Sequence, residues 1–365
     1  MNSSDLAELL RRAVLAQDFG ATPDPFDGGR ALRHFPSIDL AVACFPAGGA
    51  PVFANVLFSR QHPQGLVAGM AAGAGAAQGI RFLADQQDAQ GRSIAWLPEA
   101  PGVDWQRLDW LPLHGDSGPA VVAPYPASLL KLMVLVGLAW LIDQGRSRWD
   151  APLSFEGQCR AVRDWALDMT AISCNTATSA LVMHLHAIGA IRRDAQGECH
   201  NEVQQLFARL GLPTLRLVNT RPDGGWGNAA GAGVGQLQMT AWDTVRLLWW
   251  LDPDAPAAPW LPAHAPRLSA ESRGQVLRAL EAQTLRVLMP ERLEASALHF
   301  AHKTGTTENY ASDAGIVRAV APRRRHYLIA MLSNLGSRYG APEARLPALG
   351  AAIDAALEPW LEACS

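Results

Sequence analysis

Only two lysines stand in this chain, Lys131 and Lys303; the other 29 of its 31 basic residues are arginine. Arginine stays charged inside a protein, whereas a buried lysine shifts its pKa and can act as a base. Both lysines have hydroxyl neighbours. Ser128 precedes Lys131 in the stretch Ser128-Leu129-Leu130-Lys131, at the start of an apolar segment. Residues three apart on a helix share a face. The run Lys303-Thr304-Gly305-Thr306 ends an expected strand, and Ser173-Cys174-Asn175 lies between the two lysines in the chain.

These types support nucleophilic catalysis. Ser128 at a helix start gains from backbone N–H groups and the positive dipole end. Burial of Lys131 favours its neutral amine. A neutral amine near the Ser128 hydroxyl can take its proton, which activates the serine. Ser173 is suited to passing a proton to the leaving group, and the Asn175 amide to holding a substrate carbonyl and orienting Lys131. Lys303 offers a fixed positive charge for a substrate carboxylate, and Thr304 adds a hydroxyl. Gly305 lets a strand edge approach the ligand. The Thr306 N–H completes an oxyanion hole with that of Ser128.

The elements that must position these residues are legible from periodicity. Ile38–Phe45 and Val52–Phe58 read as a strand pair. Helical periodicity dominates from Ala127 to Leu288, with loops near 145–158, 193–200, 219–235 and 252–268. Strand character returns at His299–His302, Ala314–Val320 and His326–Leu332, and a final helix carries Leu346, Leu349, Ile353, Leu357 and Leu361 on one stripe. The fold class is α/β (α+β): an antiparallel sheet flanked by helices, with an all-helical domain inserted. Residues 1–126 and 299–365 form the mixed domain and 127–298 the helical one, with a cleft where they meet. Residues 60–120 are the least readable part and look like an insertion. The small-residue tract from Val67 to Gly79 reads as a flexible segment, and Gln86–Ile94 as a hairpin.

Composition narrows the function. The net charge is −3, 49% of residues are hydrophobic and 18% charged. That fits a soluble globular protein without a basic surplus for nucleic acid or anionic membrane. The five cysteines, Cys44, Cys159, Cys174, Cys199 and Cys364, are irregularly spaced and read as free thiols. No cofactor is implied. His184, His186, Cys199 and His200 match no standard metal spacing, and the two histidines on one helix do not face each other. The first residues form an amphipathic helix with Asp5 as its N-cap and Glu8 three residues on, rather than a signal peptide. The expected location is the cytoplasm, or the periplasm if the start lies elsewhere.

The three motifs in this order resemble those of class A β-lactamases and penicillin-binding proteins, S-x-x-K, S-D-N and K-T-G. The resemblance spans roughly residues 120–335 and is supported best by Ala301–Val317 (AHKTGTTENYASDAGIV). It implies a β-lactamase/transpeptidase-like fold, a covalent acyl-serine and a small-molecule lactam, amide or ester substrate. By motif match Ser128 is the nucleophile and Lys131 its base or the base's partner. Ser173 and Asn175 match the second motif, with Cys174 where aspartate is usual, and Lys303, Thr304 and Gly305 match the third.

Two departures follow. The family's deacylating glutamate is missing from Leu217–Ala229 (LVNTRPDGGWGNA). If Asn228 matches the loop's asparagine, Gly224 takes the glutamate's place, and Asp223 is the nearest carboxylate, though Asp-Gly-Gly commonly forms a turn. Residues 60–120 are also far longer than the family's usual link. The expectation is a serine hydrolase, with a D-Ala-D-Ala peptidase, esterase or amidase and an idle binding protein as alternatives.

Overall fold

Strand β1 (Ile38–Cys44) is buried at every residue, and its alternation shows what buries it. Leu40, Val42 and Cys44 join one apolar cluster; Ala41 and Ala43 join another. The strand is therefore covered on both faces. In this computed structural model, which describes residues 1–87, 93, 108–227, 234, 236–289, 298–320, 325–341 and 344–362, β1 lies inside a six-stranded sheet. The other strands are β2 (Val52–Phe58), β3 (Leu66–Val67), β4 (Leu298–Thr306), β5 (Ala311–Ala319) and β6 (His326–Ser333), in the order β4-β5-β6-β1-β2-β3. Every pairing is antiparallel. Both ends of the chain build the sheet, as the sequence implies.

The helices are α1 (Ser3–Leu15), α2 (Lys131–Asp143), α3 (Val162–Ala171), α4 (Asn175–Ala187), α5 (Glu202–Arg209), α6 (Ala241–Leu251), α7 (Ala270–Glu281) and α8 (Arg345–Glu362). One face of the sheet is covered by Leu6, Leu10 and Val14 of α1 and the leucine stripe of α8. The other face carries α6 and, beyond it, the remaining helices. Helix α2 is buried from Lys131 to Leu141, as a helix apolar all round must be. No described helix is long and apolar enough to cross a membrane.

Three expectations change. Helix α1 is capped by Asn2, not Asp5: Asn2 accepts from the Ser4 and Asp5 N–H groups, and Asp5 accepts from the Asn2 N–H. Asp5 is thus the third helical residue of a capping box, and Glu8 pairs with Arg11 and Arg12 instead. The block 127–298 is not all-helical. It holds the strand pairs Pro152–Phe155 with Gln158–Ala161, Ile191–Asp194 with Gly197–Asn201, and Arg216–Leu217 with Leu237–Gln238. The first is a two-residue hairpin with Glu156 and Gly157 both at positive φ, a turn that suits strand twist.

The tract Val67–Gly79 is packed rather than loose. Ala74 and Ala77 are buried, and Gly75 O accepts from Trp242 Nε1 at 2.8 Å. Small side chains permit that approach. Further on, Arg81–Ala84 pairs in parallel with Ala120–Ala123 and antiparallel with Pro112–His114. This three-stranded sheet delivers the chain to the serine turn. Of the hairpin expected at Gln86–Ile94, the Gln87–Ser93 bridge is seen; the rest lies outside the described residues.

Candidate active site

The strand Ala120–Ala123 runs through Pro124-Tyr125-Pro126 into a 3-10 turn, Ala127–Leu130, and α2 begins at Lys131. Ser128 therefore sits on a tight turn feeding the helix. Ala127 has a φ of 50°, left-handed for a residue with a Cβ, at a cost of about 1–3 kcal/mol. Two contacts hold it there. The buried Ser312 hydroxyl of β5 donates to Pro126 O at 2.6 Å. Strand β4 presses on the same turn at Gly305, where a Cβ would stand 2.3 Å from Pro126 O and 2.7 Å from Leu129 N.

Gly305 is thus needed for contact with the serine turn itself, where the sequence suggested approach to a ligand. Gly305→Ala should separate β4 from Ser128. We expect acylation to fall at least about tenfold with a lower Tm, since overpacking typically costs about 1–3 kcal/mol. Thermal melts and labelling rates would check this; an alanine variant with native values for both would refute the contact's importance.

The second segment is the break between α3 and α4. Ser173 has a φ of 57°. Cys174 caps α4, its Sγ accepting from Ala177 N at 3.4 Å, while its own N–H donates to Asp168 O at 3.1 Å. Asn175 is the first residue of α4, one position past the cap. This turn aims three acceptors at Lys131. Its Nζ donates to Ser173 O at 2.5 Å, Ser173 Oγ at 3.1 Å and Asn175 Oδ1 at 2.8 Å. Those three bonds exhaust an ammonium. Ser128 Oγ, on a half-buried residue, has no hydrogen bond among the described residues. Lys131 therefore makes no hydrogen bond to Ser128 Oγ in this arrangement.

Lys303, from β4, reaches the same hydroxyl. Its Nζ donates to Ser173 Oγ at 3.0 Å and to Thr304 O at 2.8 Å. Ser173 Oγ thus bridges the chain's two lysines. Burial lowers the Lys131 pKa to about 8 against a smaller opposing influence of Cys174. Burial, then repulsion from Lys131, lowers Lys303 to about 7, with Asp313 opposing. Burial beside a second amine therefore works against the fixed charge expected of Lys303. Thr304 is buried with it, and Thr306 is exposed at the strand end. Behind them, His302 Nδ1 and Asp313 Oδ1 lie 2.8 Å apart, and Asp313 Oδ2 accepts from Leu288 N at 3.0 Å.

Ser312 and Asp313 were not singled out from the sequence. Their signal was present: two adjacent polar residues buried in a strand whose next four residues are small or apolar.

The loop after Leu217 gives the structural answer to the missing glutamate. Asp223 is exposed, paired with Arg221 at 2.5 Å, and accepts from Gly225 N at 2.9 Å. The Gly225 bond is the leading cause of its lowered pKa. It is a turn residue. Gly224 has a φ of +85°, and a Cβ there would meet Ser179 O of α4 at 2.2 Å. At Gly224 the loop therefore packs its backbone against the backbone of α4. Asn228 lies outside the described residues. His184 bonds to Ser147 and His186 to Thr220, in separate directions. The described cysteines Cys44, Cys159, Cys174 and Cys199 are free.

A serine on a strained turn, two buried lysines and a glycine-bearing strand edge thus come together from α2, the α3–α4 break and β4. Residues 123–356, well over half of the chain, match the family described as the Beta-lactamase enzyme family, and the chain belongs to it. Among solved structures, PBP-A is similar over 98% of both chains at 16% identity and a TM-score of 0.52. A β-lactamase from Sphaerobacter thermophilus is similar over 96% of this chain and 97% of its own, at 15% identity and a TM-score of 0.54. TLA-1, an extended-spectrum β-lactamase, covers 99% of this chain and 100% of its own at 12% identity and a TM-score of 0.54. At such identities the likeness is one of fold. No curated protein matches the chain by sequence.

Proposed function

We propose that this protein is a serine hydrolase that works through an acyl-enzyme on Ser128. The observation that carries the reading is the chain Lys131 Nζ, Ser173 Oγ, Lys303 Nζ, with steps of 3.1 and 3.0 Å. It links both amines through one hydroxyl, and Lys131 starts the helix that the Ser128 turn feeds. Neutral Lys131 takes the Ser128 proton as Oγ bonds to the acyl carbon. The bond to the leaving nitrogen or oxygen breaks, and Ser173 delivers the proton to it. The N–H groups of Ser128 and Thr306 hold the oxyanion. Asn175, Lys303 and Thr304 orient the substrate.

The substrate class is a small lactam, amide or ester. A mutant of PBP-A has been captured as an acyl-enzyme with penicillin G, and the same adduct is the first to seek here. The reading as an idle binding protein is disfavoured by the two amines. Burying both near one hydroxyl, with pKa values of about 8 and 7, opposes folding, and a proton-transfer role gives that cost a purpose.

Intact mass after exposure to penicillin G or a neutral fluorophosphonate tests this. One adduct, on the peptide carrying Ser128 and lost in Ser128→Ala, is expected; an adduct elsewhere, or none, would refute the reading. The rate also has a pH signature. The base must be neutral, so labelling by the uncharged probe should climb as pH rises through about 8 and then level off. A flat profile between pH 6 and about 9 would remove Lys131 as the base.

A further inference from the structure

A buried carboxylate with no permanent cation bonded to it needs a reason. Asp313 and His302 are both buried, with Oδ1 and Nδ1 2.8 Å apart, and the other Asp313 oxygen accepts from Leu288 N at 3.0 Å. No arginine or lysine bonds to Asp313 among the described residues. The Phe300 ring stacks on that of His302, with centroids 4.1 Å apart. His302 Nε2 is buried and has no partner among the described residues. A second ring proton there would lack a protein acceptor. A neutral ring donating through Nδ1 fits this setting, and the negative charge then stays on Asp313.

The sheet sets where that charge lies. His302 precedes Lys303 in β4, and Asp313 stands opposite Thr304 in β5. Side chains alternate along a strand, and directly paired residues share a face. His302 and Asp313 therefore lie together behind β4, on the face away from the Lys303 side chain. Two charged groups act on that amine from different elements: Lys131 of α2 disfavours its proton and Asp313 of β5 favours it.

We propose that the buried His302–Asp313 pair is a positioning device that supplies the counter-charge for Lys303, keeping that amine protonated to hold an anionic group of the substrate. The proposal rests on the acyl-enzyme reading above, in which Lys303 orients the substrate. His302 holds the carboxylate in place without cancelling its charge, because the ring donates a hydrogen bond and carries no charge of its own. Burial and Lys131 both press Lys303 to give up its proton, and Asp313 opposes them from behind the strand.

The test compares Ser128 acylation of the full chain by penicillin G and by its methyl ester, which differ in the charge of one group. The native protein should prefer the acid near pH 7. In Asp313→Asn the acid-to-ester ratio should fall. A tenfold loss of proton affinity in a group that titrates at about 7 cuts its charged fraction, and with it the ratio, about fivefold at that pH. At about pH 5.5 the amine is charged even with that loss, so the ratio should return toward the native value. His302→Leu should lower the ratio in the same way, and His302→Asn, whose amide can donate to Asp313, should restore it. A native protein without preference for the acid would overturn the proposal, as would an undiminished ratio in Asp313→Asn. Equal loss of both reactions in Asp313→Asn and His302→Leu would show that the pair holds the fold rather than the charge, and overturn it too. Labelling of native Ser128 by a neutral fluorophosphonate, measured first, separates the two readings. Without that label both fall; with the label but no dependence on Asp313, only the counter-charge does.

Discussion

Lys131→Met should lower the rate of Ser128 acylation by at least about a hundredfold, the low end for a lost general base. The native amine is held by Ser173 O, Ser173 Oγ and Asn175 Oδ1, and methionine fills similar space without a proton acceptor. Lys131→Arg should fare no better, because a guanidinium cannot give up its proton. The rise of rate through about pH 8 should vanish in both. Stability separates chemistry from collapse. A lysine whose pKa is lowered on folding binds fewer protons folded than unfolded, so stability rises with pH between its folded value and the ordinary lysine range. That window opens at about 7 for Lys303 and about 8 for Lys131. Melting curves from pH 6 to about 10 should therefore climb in the native protein and less steeply in Lys131→Met. An Arg variant with native acylation kinetics would show that Lys131 acts only through its charge.

The second large effect concerns release. Penicillin-type lactams should acylate Ser128 and stay, so that the protein titrates such reagents more than it destroys them. Deacylation needs a positioned water and a base. Asp223 points to solvent and is engaged by Arg221 and Gly225 N, so Asp223→Asn should leave turnover unchanged. Adding the missing carboxylate at Gly224 should not help either. A side chain there collides with Ser179 O at 2.2 Å, on a backbone at φ +85°. We expect Gly224→Glu to lose stability without gaining turnover. Steady-state hydrolysis of a chromogenic cephalosporin decides both points. Fast native turnover that disappears in Asp223→Asn would make Asp223 the base; a Gly224→Glu variant that turns over faster would refute the steric argument.

Local pattern was enough for part of this molecule. The use of lysine at only two positions marked both amines, and period-two runs located β1, β2 and β6 nearly to the residue. Strands β4 and β5 were read too short, because Lys303, Thr304, Ser312 and Asp313 interrupt their apolar pattern for the sake of the site. What stayed hidden depends on contacts between distant segments. Nothing near Ser173 in the chain says that its hydroxyl joins two lysines, or that Ser312 ties down Pro126. The strand pairs at 152–161 and 191–201 escaped for another reason: they are short, polar and half-exposed, so they lack the alternation that marks a strand. Gly224 read as part of an Asp-Gly-Gly turn, and its approach to α4 and its φ of +85° reveal why it is glycine.

The sheet order has a consequence for how the molecule comes to be. Ile38 pairs with Ser333, so β1 waits for a strand made long after it. Such remote pairings close slowly, because chain entropy is lost before the contacts repay it. Helices α3 and α4, adjacent in the chain, pack on each other and can gather earlier. Ser128 and Lys131 therefore leave the ribosome well ahead of Lys303 and Gly305, and stand without the strand that completes them. Reactivity arises in the same event that closes the sheet, so a partly synthesised chain carries the nucleophile but not the enzyme. The same coupling runs in reverse: an acyl group or inhibitor that clamps β4 against the serine turn tightens the last-formed joint, and so protects the whole fold against unfolding.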